Sequence, residues 1–174
     1  PTADGTAAVL DALPGCDVLL AGCGLGQHVG TNALLEQLLL SSVPLSVPVV
    51  LDADALNTLA GIPDWWSQLQ SPTVVTPHPG EMSRLIGASI GDVEGDRVAT
   101  ARRAATTWGV TVLLKGAYTV VASPEGDVRI IPFANPGLAT AGTGDVLAGV
   151  IASLIAQHLS PFDAASLGAF LHGA

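Results

Sequence analysis

The sequence predicts an α/β fold in which a mostly parallel central sheet is covered by helices on both faces. Three observations carry that expectation. Apolar runs of strand length alternate along the chain with stretches of helical period. The runs are apolar enough for a sheet buried on two sides, which is how parallel strands read. Finally, SPEGD at 123–127 supplies turn residues between the last two runs, so the sheet is expected to finish in an antiparallel hairpin.

The elements follow in order. Strands are expected at 17–21, 48–52, 73–76, 110–114, 119–122 and 128–132. Between the first two, Leu34, Leu35, Leu38 and Leu39 repeat at helical spacing, with Thr31 as the expected N-cap. Leu56 and Leu59 mark a short helix that Asp54 is expected to cap. Another helix starts near Pro79 or Gly80, a third runs over 93–108, and two more close the chain. In the first of that closing pair, Val146, Leu147, Val150, Ile151, Leu154 and Ile155 form a broad apolar face. Trp65, Trp66 and Trp108 sit at helical positions and read as packing residues.

Composition narrows the function. A chain of 174 residues holds one substantial core and not two comfortable ones. With 49% hydrophobic and 12% charged residues it is neither disordered nor fibrous, and no apolar run reaches transmembrane length. Six basic against 15 acidic residues give a net charge of −9, which argues against nucleic acid and anionic membranes as partners. Cys16 and Cys23 are too few for a disulfide framework or a metal cluster, so both read as reduced, partly buried thiols of a cytoplasmic protein. The chain opens on Pro1 in place of Met, so its natural start is expected elsewhere.

The chemistry concentrates in NPGLATAGTGDVLAG, 135–149. A stable helix needs one capping side chain at its start, not four glycines. The glycines let a ligand approach the backbone, and the N–H groups of 141–144 at the open end of a core helix suit a phosphate or a developing oxyanion. Asp145 follows directly, and a carboxylate beside an anion site is costly unless it serves as a base on a hydroxyl about to accept a phosphoryl group.

Four further motifs precede this one: AGCGLG, VLDADALN, VTPHPGE and LLKGAYT. The glycines of AGCGLG suit a strand-to-helix turn. Asp52 ends a buried strand, where ligands commonly bind in α/β sheets, and suits phosphates or Mg²⁺. His78 lies between two prolines that stiffen its loop, and Glu81 reads as a first-turn acid. KGAYT carries the single lysine, with Gly116 at a turn.

Together, in this order and with these gaps, the five motifs resemble the ADP- or ATP-dependent NAD(P)H-hydrate dehydratases of the ribokinase-like fold. The resemblance implies an enzyme of metabolite repair, acting on NADH or NADPH that has added water at C6 of the nicotinamide ring. It implies Asp145 as catalytic base and as a substrate contact with Gly24 and His78. Lys115, Gly116, Ala117, Tyr118, Thr119 and Gly144 are then expected to bind ADP or ATP. Ala141, Gly142, Thr143 and Gly144 would form the anion hole, and Asp52 would face Mg²⁺. Where Cys23 stands the family usually has proline. Family domains begin well before this chain does, so residues 1–174 are expected to be a partial domain lacking its first strands. A homo-oligomer, by family habit a tetramer, and a fused or cooperating epimerase also follow from the resemblance. Two other readings share the motif: a ribokinase-like kinase of a thiazole or pyrimidine alcohol, and a noncatalytic nucleotide-binding domain.

Overall fold

Period-two alternation within the short apolar runs builds a sheet with two separate cores. A computed structural model describes residues 3–42 and 44–174. Its strands are β1 (Leu19–Ala21), β2 (Val49–Leu51), β3 (Thr73–Val75), β4 (Thr111–Leu114), β5 (Val120–Ala122) and β6 (Val128–Ile130), hydrogen-bonded in chain order. β1 to β4 are parallel, while β5 and β6 add antiparallel. All six expected strands are present, trimmed at their ends where the chain turns away.

Val49, Leu51, Val75, Val112, Leu114 and Val120 face one core; Val50, Val74, Leu113 and Val121 face the other. The first core is closed by α2 (Val29–Leu39), α3 (Asp54–Leu59), α4 (Pro79–Ile86), α5 (Ile90–Gly95) and α6 (Arg97–Trp108). They share that face because each parallel strand is laid beside the one before it through crossovers of the same hand. α7 (Thr143–Ala156) and α8 (Pro161–Gly173) cover the second face, and α1 (Ala3–Ala12) packs on α2. β1 is an outer strand of the described sheet, and its Leu19 and Leu20 are only half-buried where β2 is buried throughout. Among the described residues no helix is long and apolar enough to cross a membrane.

Several local expectations need correction. The helix expected over 93–108 is two, α5 and α6, parted at Asp96, whose carboxylate accepts from the Ala99 N–H at 2.9 Å and caps α6. Thr31 does not cap α2, which starts earlier with His28 at the cap position; the Thr31 hydroxyl reaches the Leu25 carbonyl instead. Asp54 is the first residue of α3 and not its cap, because its carboxylate is drawn back to the β1–α2 loop. On α7 the buried seam is Leu147, Ala148, Ile151, Ala152 and Ile155, whereas Val146 is 60% exposed at the helix's open end. Cys16 is exposed. The tryptophans do pack together, with the Trp65 and Trp108 ring centroids 5.0 Å apart.

Candidate active site

Parallel strands that start in register also end together, so the loops after β1, β2, β3 and β4 meet at one edge of the sheet, opposite the first turn of α7. Asp52 leaves β2 at the centre of this edge. It is 1% exposed, and its Oδ1 accepts from the Ala53 N–H at 2.9 Å and from Lys115 Nζ at 2.7 Å. The turn behind it is held under strain, with Ala53 at φ 49° and ψ −114°. Gly22, at φ 122°, makes room for that turn, since any Cβ there would run into the Asp52 carbonyl oxygen. Asp54 ties the same turn to the glycine loop, accepting from the Gly26 N–H at 2.7 Å and from Gln27 Nε2 at 3.0 Å.

Lys115 leaves β4 with its N–H donating to the Pro77 carbonyl, which joins it to the TPHPGE loop. Its ammonium also lies 3.8 Å from Glu81 Oε2. Glu81 is buried and completes a capping box on α4: its Oε2 accepts from the His78 N–H at 2.8 Å, while His78 Nδ1 accepts from the Gly80 N–H at 3.0 Å. An accepting Nδ1 leaves the His78 proton on Nε2, which lies 3.5 Å from Glu81 Oε1.

Gly142, at φ 90°, takes the cap position before α7, and no side chain caps the helix. Its first-turn N–H groups are therefore free of any side-chain acceptor. A Cβ on Gly144 would stand 3.3 Å from Lys115 Nζ and 3.6 Å from Asp52 Oδ2, so the helix end rests directly on the ion pair. Asp145, exposed on that first turn, brings its carboxylate to within 4.8 Å of both the Asp52 carboxylate and the Cys23 thiol. Burial, a hydrogen bond to Asp145 and the charges of Asp52 and Asp145 push the Cys23 thiol up to about 12, so it stands there as a neutral S–H donor.

Beside this cluster opens a cavity of about 440 Å³. Of the residues expected to bind nucleotide, Lys115, Gly116, Ala117, Thr119 and Gly144 line it; Tyr118 does not, standing 56% exposed at φ 55°. Thr143 of the expected anion hole also lines the cavity, while Ala141 and Gly142 lie exposed on the turn outside it. Gly24 is exposed on the β1–α2 loop next to Cys23, and His78 heads α4, joined to Asp52 only through Glu81 and Lys115. Sequence reasoning missed the burial of Glu81, the single acid of its motif, and missed His172, which α8 brings to the cavity lining. It also left Asn135 and Pro136 unassigned although they lead the glycine motif and line the same cavity.

Comparison with known proteins agrees in fold and in family. The chain is 48% identical to a bifunctional NAD(P)H-hydrate repair enzyme of Moorella thermoacetica, over 95% of this chain and 31% of that protein. It superposes with a TM-score of 0.77 on the ADP/ATP-dependent NAD(P)H-hydrate dehydratase of Bacillus subtilis, which was co-crystallised with ATP and Mg²⁺ and soaked with CoA. Identity to it is 32%, over 98% of this chain and 60% of that one. A ribokinase-like superfamily protein of Enterococcus faecalis gives a TM-score of 0.80 at 29% identity, over 98% of this chain and 58% of the other. The chain thus spans 31% to 60% of the length of these relatives, and its fold is ribokinase-like. The family model described as NAD(P)H-hydrate dehydratase matches residues 2–174, the whole of the structure just described, and the chain belongs to that family.

Proposed function

We propose that the protein containing this chain dehydrates hydrated NADH or NADPH in a reaction coupled to hydrolysis of ADP or ATP. One observation carries the reading: an exposed carboxylate, Asp145, stands on the first turn of an uncapped helix, beside a lysine and a cavity of about 440 Å³. A base and an anion site in one turn suit transfer of a phosphoryl group to a hydroxyl.

In this reading Asp145 takes the proton of the C6 hydroxyl as the terminal phosphoryl group of the nucleotide moves onto that oxygen. The N–H groups of 141–144 hold the phosphoryl charge. The ring nitrogen's electron pair then expels the C6 oxygen as phosphate, and the C5 proton of the resulting iminium passes to solvent, which restores the C5–C6 double bond of the dihydronicotinamide. Hydroxyl oxygen thus ends in phosphate, and the net change is loss of water from the substrate and loss of one phosphate from the nucleotide. Lys115, Gly116, Ala117, Thr119 and Gly144 would hold the nucleotide, with Gly24 and His78 on the substrate side.

The donors present suit Mg²⁺, which is commonly held by one or two carboxylates with substrate phosphates and water completing its shell. Asp52 Oδ1 is taken by Lys115 and the Ala53 N–H, so Asp52 Oδ2 is the oxygen that would hold the ion, with the Asp145 carboxylate left for the hydroxyl. When bound, the ion would offset charge on the transferring phosphoryl group. Residues 1–174 are read as one partial domain of a cytoplasmic homo-oligomer that works with, or is fused to, an epimerase of the hydrate.

The test is to incubate the full-length protein with hydrated NADH and ADP or ATP while following dihydronicotinamide absorbance and phosphate release. The two are expected to rise together. A phosphorylated product without dehydration would make the protein a kinase, and neither signal would make it a binding module.

A further inference from the structure

The capping box of α4 differs from that of α5 in a way that capping does not explain. In α5 the same motif is made by Ser89 and Asp92, with both side chains in solvent. In α4 the acid is Glu81, whose side chain is only 6% exposed. Burying a carboxylate is costly without a partner, and a cap does not require it. The partner is Lys115, whose ammonium lies between Glu81 Oε2 at 3.8 Å and Asp52 Oδ1 at 2.7 Å.

We propose that Glu81 is a positioning residue which, with Asp52, holds Lys115 as a built-in counter-cation against the first turn of α7, before any nucleotide arrives. Arg97 secures the other end of the lysine. Its Nη2 donates to the Leu114 and Lys115 carbonyls at 3.1 Å each, and Gly116 gives it room, since a Cβ there would run into the guanidinium. The ammonium is therefore fixed at backbone and tip. It stands at the positive end of a helix, where a cation is disfavoured unless carboxylates hold it. Two buried carboxylates do so. Held in that place, Lys115 keeps Asp52 compensated beside Asp145 and offers its remaining donor capacity to the cavity.

The kinetic part of this proposal rests on the dehydratase reading; the ion-pair part does not. Glu81→Gln keeps an oxygen to accept from the His78 N–H and removes only the charge. In the full-length protein it is expected to lower kcat on the order of 10- to 100-fold, with little change in KM for the nucleotide, because the lysine is displaced and not deleted. Wild-type kcat in that variant would overturn the proposal. The second arm reads thermal unfolding and needs no activity. Glu81→Gln should lower the midpoint when Lys115 is present and raise it in a Lys115→Met background, where it removes one of two buried carboxylates that have lost their shared ammonium. Equal shifts in both backgrounds would overturn the proposal even if the protein proves to be a dehydratase. Opposite shifts would support it even if it does not. Where Lys115→Met does not fold, the crystal structure of Glu81→Gln decides: the ammonium is expected to leave Asp52, and an unmoved ammonium contradicts the proposal.

Discussion

The loop after β2 and the first turn of α7 each bring an aspartate to the same edge of the sheet, and they treat it in opposite ways. Asp52 is 1% exposed, ion-paired to Lys115 and hydrogen-bonded to the backbone of a strained turn. Asp145 stands exposed on an uncapped helix, with a neutral thiol as its near neighbour. One carboxylate is a fixed charge whose removal disturbs the fold. The other stands exposed on its helix, with the Cys23 thiol as its hydrogen-bond partner. Identical side chains within 4.8 Å of each other thus stand in opposite settings, divided by burial and pairing.

That division is broken most forcefully at Asp52. Asp52→Ala takes the nearer carboxylate from the Lys115 ammonium, leaving it Glu81 alone at 3.8 Å, and is expected to cost about 3 kcal/mol, whereas Asp145→Ala should cost less than about 1 kcal/mol. Urea unfolding of the two variants measures the difference, and equal costs would erase it. Gly116→Ala comes next. Its Cβ has to displace Arg97 from the carbonyls of Leu114 and Lys115 and must adopt φ 146°, so a loss of about 2 kcal/mol is expected, with weaker nucleotide binding in calorimetry. A smaller effect is expected at Asp54→Ala, which frees the Gly26 N–H and Gln27 for about 1 kcal/mol and lowers the unfolding midpoint by a few degrees.

The smallest effect sharpens the comparison from the Asp145 side. Cys23, raised to about 12, should resist a thiol reagent at pH 8, while exposed Cys16 reacts at once; one fast equivalent and a second only on unfolding is the expected count. A raised folded-state value means that the protonated thiol stabilises the fold below its ordinary value of 9.0. That contribution is lost as pH rises from there towards 12, so unfolding midpoints should fall over the alkaline range and recover in Cys23→Ala. Two fast equivalents would show that the thiol is not held against the carboxylates.

How much of this was legible in the sequence follows from the reach of each interaction. The six strands, the hairpin at 123–127 and the glycine turn before α7 are written in local period and turn chemistry, and the structure has them. Asp96 breaks α5 from α6 by a cap three residues long, but its signal was masked by apolar spacing that continues across it. Lys115 and Asp52 are 63 positions apart and meet only because β2 and β4 flank β3 in one parallel register. Glu81 could be read as an acid in a first turn, and was; that it is buried against that lysine depends on how α4 packs on the sheet, which no local pattern reports. Val146 fell on the wrong side for a related reason: the buried face of α7 begins one residue later, at Leu147, and local period does not report where a helix end meets solvent.

Turnover of Asp145→Asn in the full-length protein tests the central claim most directly. The substitution keeps shape and removes the base, and the uncapped N–H groups of α7 remain. With hydrated NADH and ADP or ATP, kcat is expected to fall on the order of 10²- to 10⁴-fold, with nucleotide affinity and unfolding midpoint close to wild type. A folded Asp145→Asn protein that turns over at the wild-type rate would contradict the account.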